Sequence, residues 1–157
     1  MIGLDKDGVS IEDVLEEHGS YASVIKGVSM RPMLKTDRDV IVLQKAEARL
    51  KKYDVALYKV GEKYIFHRII GVDREKKIYI IRGDNTYKKE YVSFDAVLAY
   101  LTAFNRKGKH YTAEHRGYKI YSIVWNFIYP VRYFLHGCRL LLSRALRKFK
   151  GKSQKSV

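Results

Sequence analysis

Two hydrophobic rhythms divide the chain. From Tyr21 onward, apolar residues fall in short continuous or alternating runs at 22–26, 40–43, 55–60, 64–72, 77–82 and 97–104, punctuated by glycines and charged pairs. That spacing predicts strands joined by turns, with Gly61-Glu62 and the stretch 73–76 as hairpin connections. After Gly117 the period changes. Ile120, Val124, Phe127, Ile128, Val131, Phe134, Leu135, Cys138, Leu141, Leu142, Ala145 and Phe149 recur every three or four residues, which predicts an amphipathic helical stripe. Pro130 lies inside it and removes a backbone donor, so the helix should kink or divide there. Ahead of the strands, Ser10-Ile-Glu-Asp13 resembles a capping box and Gly19 a stop, predicting a helix over 11–18.

The expected fold is mostly β: a curled antiparallel β structure with a short N-terminal helix and a C-terminal amphipathic helical extension. Its expected parts are a lead-in at 1–20, a β domain at 21–116 and a basic helical tail at 117–157. With 157 residues, 46% of them hydrophobic, the chain is long enough to bury one core. Charge sharpens the division. Residues 102–157 hold 13 Lys and Arg against one acid, Glu114, a net of +12, whereas the first 101 residues hold 18 bases and 16 acids. The basic character therefore belongs to the tail.

A single cysteine, Cys138, excludes an intrachain disulfide and a thiolate metal site, and no cofactor or metal is expected. The first eleven residues carry acids and no apolar stretch, so neither a signal peptide nor an anchor is expected, and this end should stay in the cytoplasm. The longest uncharged run, 120–131, is 12 residues, short of the roughly 20 that span a bilayer.

Candidate chemistry begins at Lys26-Gly-Val-Ser-Met-Arg-Pro-Met-Leu34, a serine in a proline-restricted turn after a strand. Gly27 permits close backbone approach, and Met30, Met33 and Leu34 can hold the turn against the body while the Ser29 hydroxyl stays exposed. Two more segments follow: Tyr64-Ile-Phe-His67-Arg-Ile-Ile-Gly71 and Ile80-Ile-Arg-Gly83-Asp84-Asn85. Taken in this order, Ser-Met-x-Pro, His-Arg-Ile and Gly-Asp-Asn resemble the signal-peptidase and repressor-autoprotease superfamily of serine peptidases, over residues 24–105.

The resemblance implies a signal-peptidase-like fold, Ser29 as nucleophile and His67 as general base. Most bacterial members use lysine as base, and the endoplasmic-reticulum and archaeal types use histidine. A lysine near its usual pKa of about 10.4 must be strongly desolvated to act as a base, whereas histidine near about 6.5 needs little adjustment. A histidine base calls for a carboxylate on its other nitrogen. Glu90, which stands where histidine-type relatives carry an acid, is the first candidate, and Asp84 the second. Many relatives carry a hydroxyl residue where this chain has Gly27, so an oxyanion hole would rest on backbone N–H groups around Ser29 and Met30.

The expected activity is cleavage of a leader or precursor peptide on the cytoplasmic side. Residues 118–150 are expected to lie on an anionic membrane surface, through the apolar stripe and Arg132, Arg139, Arg144, Arg147, Lys148 and Lys150. The competing expectations are an inactive peptide-binding module of the same fold, a stripe packed on the β body, and a repressor-like nucleic-acid protein. The last is disfavoured because the first 20 residues are too short for a helix-turn-helix.

Overall fold

A computed structural model describes residues 10–153, with side chains through residue 143; residues 1–9 and the side chains of Arg144, Ala145, Arg147, Lys148, Phe149 and Lys150 lie outside it. The fold is mostly β: eight antiparallel strands, a short N-terminal helix and C-terminal helices. Helix α1 spans Ile11–His18. Ser10 caps it by accepting the Asp13 N–H at 3.1 Å, and Gly19 closes it in the left-handed region at φ 68°. Its Ile11 and Leu15 enter the core.

The strands are β1 Ser20–Val24, β2 Val40–Lys45, β3 Val55–Val60, β4 Lys63–Asp73, β5 Ile78–Arg82, β6 Glu90–Ser93, β7 Val97–Arg106 and β8 Lys109–Thr112. They are ordered β1-β2-β7-β3-β4-β5-β6, and β8 pairs with the second half of β7. Six strands fall where the hydrophobic pattern puts them. The other two, β6 and β8, are four residues each with little apolar content, so alternation could not mark them.

Both faces of the central strands are covered. In β3, Val55 and Leu57 enter a core with α1, Met30, Met33, Leu34, Phe66 and Leu101, while Ala56 and Tyr58 enter a second core with Ile69, Tyr79 and Ile81. That double burial explains why β3 reads as a continuous apolar run. In β4, Tyr64, Phe66 and Arg68 share the first face, and His67 and Ile69 share the second, as the two-residue period requires.

Helices α2, Arg116–Phe127, and α3, Tyr129–Ser153, meet at Ile128, and Pro130 occupies the first turn of α3, where a missing N–H is tolerated. The division expected at the proline thus falls two residues earlier. The chain separates after Ile123 into two compact units, so the first half of α2 belongs with the β body. The reason is that Tyr118 and Ser122 of α2 are buried and bonded to β4.

Candidate active site

Ser29 lies in the turn after β1, half-buried, with Met30, Met33 and Leu34 anchoring the turn in the first core. Gly27 adopts φ 82°, a left-handed conformation that a side chain disfavours, and its carbonyl accepts a hydrogen bond from the Thr36 hydroxyl. This backbone conformation accounts for a glycine at position 27. The Arg31–Pro32 peptide is cis. Among the described residues, neither the Ser29 nor the Met30 N–H donates to a main-chain carbonyl.

The Gly-Asp-Asn segment grips this turn through the backbone. The Asn85 N–H donates to the Ser29 carbonyl at 2.7 Å, and the Asn85 side chain donates to the Val28 carbonyl at 3.3 Å. Gly83 stands between serine turn and histidine: a Cβ there would lie 2.8 Å from the Ser29 carbonyl oxygen and 3.0 Å from both Cδ2 and Nε2 of His67. Only glycine lets the two approach this closely.

His67 projects from β4 with its ring buried. Its Nδ1 faces Glu90 Oε1 at 3.2 Å, which leaves the Nε2 edge on the Gly83 and Ser29 side. An ionised carboxylate can only accept, so Glu90 fixes the proton on Nδ1 and leaves Nε2 with its lone pair. Burial pushes the His67 pKa down and Glu90 pulls it back up; the net lies below the ordinary histidine value, so the ring is neutral at pH 7.

Tyr58, which the sequence reading did not single out, completes this group. It sits on β3 diagonally across from His67, since Ala56 is the direct partner of His67 and Tyr58 that of Ile65. Its hydroxyl donates to Glu90 Oε2 and lies 3.4 Å from Nδ1. Burial and then Glu90 hold the phenol far above its ordinary pKa, so it remains a donor. The carboxylate thus binds the ring and the phenol, one through each oxygen.

Asp84, the second candidate for the histidine, faces a different partner. It is buried and takes a two-pronged bond from Arg68, Nε to Oδ1 at 2.8 Å and Nη2 to Oδ2 at 2.9 Å, with the Tyr121 hydroxyl donating to Oδ2 at 3.1 Å. Arg68 is itself 0% exposed and donates further to the Tyr53 carbonyl, the Tyr118 hydroxyl, the Ser122 hydroxyl and Met33 Sδ. Burial is the largest single influence and opposes its charge, but Asp84 and Tyr118 together outweigh it and hold the guanidinium well above the ordinary arginine range. Arg68 therefore ties the serine turn, the Asp84 loop and α2 into one block.

Cavities of about 330 and 420 Å³ are lined by residues of the 44–51 segment, and neither includes Ser29, His67 or Glu90. Among the described residues no cluster of side chains could hold a metal ion. What the arrangement offers is the main chain of Ser29 and a neutral, oriented imidazole meeting at one glycine. Set against known proteins, the chain matches no protein-family model and no curated protein.

Proposed function

We propose that the protein is a serine endopeptidase, acting on a leader or precursor peptide through Ser29, His67 and Glu90. The observation that carries this reading is the imidazole held at Nδ1 by Glu90, with its Nε2 edge against Gly83 and the Ser29 peptide. Ser29 Oγ attacks the scissile carbonyl carbon while its proton passes to His67 Nε2, and Glu90 stabilises the imidazolium. The Ser29 and Met30 N–H groups are the donors at hand for the oxyanion. Collapse of the tetrahedral adduct breaks the C–N bond as His67 gives the proton to the leaving amine. Water, activated by the same imidazole, then hydrolyses the acyl-serine.

One observation favours a second reading, a peptide-binding module without turnover. Among the described residues the Ser29 hydroxyl makes no hydrogen bond to His67. Catalytic hydrogen bonds are often loose before substrate binds, so this does not displace the first reading.

Intact-mass spectrometry after treatment with a fluorophosphonate decides between them. The wild-type chain should gain one phosphonyl adduct at Ser29, and Ser29→Ala should gain none. Equal labelling of the two, or an unlabelled wild type, overturns the peptidase reading.

A further inference from the structure

In the second compact unit the side chains sort onto two sides. On one, the Arg132 guanidinium lies over the Trp125 ring at 3.7 Å and the Tyr129 and Tyr133 rings meet at 5.9 Å; Trp125, Tyr129, Arg132 and His136 are half-buried. The other side carries Phe127, Val131, Phe134, Leu135, Leu141 and Leu142, each 59–83% exposed. Polar and aromatic groups are thus paired with one another while the aliphatic stripe faces outward, the reverse of a helix built for water. Arg139 adjoins that stripe, one turn from both Leu135 and Leu142.

Charge selects the occupant. Residues 115–157 contain ten Lys and Arg and no acid, so a second copy of this face would be repelled and an anionic partner attracted. A nucleic acid would take up the cations but leave the aliphatic stripe in water, whereas a bilayer surface satisfies both. Among the described residues no helix is long and apolar enough to cross a membrane, so the stripe lies in the interface rather than through it.

We infer that the outward stripe of α3, with Phe127 before it, is a docking face for the surface of an anionic lipid bilayer. The apolar side chains enter the acyl boundary, and Arg139 reaches the headgroups along its aliphatic stem. The inference is independent of the peptidase reading, because it concerns a different unit and is read without turnover.

The full chain is floated with vesicles of phosphatidylcholine alone and of phosphatidylcholine mixed equally with phosphatidylglycerol. Binding is expected to the mixed vesicles only and to fall as salt rises. The variant Phe134→Glu with Leu141→Glu changes only exposed positions, so it should keep the wild-type thermal midpoint and lose flotation. No flotation of the wild type, equal flotation of the variant, or retention on a homopolymeric RNA with none on vesicles overturns the inference.

Discussion

His67 and Arg68 are neighbours on β4, and each holds a carboxylate, but on opposite faces. Arg68 and Asp84 have side chains 0% and 2% exposed, and every donor of the guanidinium is engaged. His67 and Glu90 are more open, with the Glu90 side chain 27% exposed and, among the described residues, no donor on His67 Nε2. A buried ion pair saturated with hydrogen bonds has no chemistry left to perform; it fixes positions. A neutral ring with one committed nitrogen has chemistry left. The same pairing of base and acid therefore yields a bolt on one face and a candidate catalyst on the other, and satisfaction, more than residue type, separates them.

The largest expected effect tests the open face. Ser29→Ala and His67→Ala should each lower turnover by up to roughly a million-fold, and the double variant should be no slower, since the two act as one unit. Their thermal midpoints should stay near wild type, because Glu90 keeps its bond to Tyr58 when the ring is gone. Additive losses in the double variant would break the pairing.

Next comes the contrast of the two acids. Glu90→Gln should lower turnover by about four orders of magnitude, as loss of the triad acid does elsewhere, with little change in stability. Asp84→Asn should act mainly on stability. The reverse pattern would exchange the roles assigned here. The pH profile sharpens this: only neutral His67 accepts a proton, so turnover should rise with pH through a midpoint below 6.5. Glu90→Gln should carry that midpoint lower still, because the attraction that resists deprotonation is removed.

On the sealed face, Arg68→Met removes the two-pronged partner of the buried Asp84. Removing one partner of such a pair costs about 3–5 kcal/mol, measurable by urea unfolding. A variant as stable as wild type would show that the face is not the bolt described. The smallest effect belongs to Tyr58→Phe, which deletes a hydrogen bond to a charged group and should cost about 1.5–3 kcal/mol of stability. With less of its charge taken up by the phenol, Glu90 should hold the imidazolium harder and shift the acid limb of the profile slightly upward.

Much of this architecture was legible before the structure. Alternation marks six strands, and Ser10 and Gly19 mark α1, because local backbone chemistry decides those elements. The resemblance ranked Glu90 ahead of Asp84, but the residue pattern by itself could not, since the choice depends on which face each side chain takes and on the register across three strands. Glu90 pairs with Ile81, which pairs with Ile69, two residues along the same face from His67. A register irregularity between Ile69 and Gly71 follows, and no motif announces it. Tyr58 was hidden for the same reason: its relation to His67 is diagonal and spans a hairpin. The partners of Arg68 on α2, Tyr118 and Ser122, lie 50 and 54 residues away, beyond any local pattern.

Register has a further consequence for the newly made chain. In β4, His67 pairs opposite Ala56 and Arg68 opposite Val55. A slip of one residue turns every side chain to the other face. The imidazole would then enter the dry core, and a guanidinium, which cannot surrender its proton, would stand beside the serine. Under the proposed peptidase reading, a misassembled chain would be inert rather than merely slow. Hydrolytic competence would then arrive only with correct assembly, and a half-folded nascent chain would have no means of cutting its neighbours.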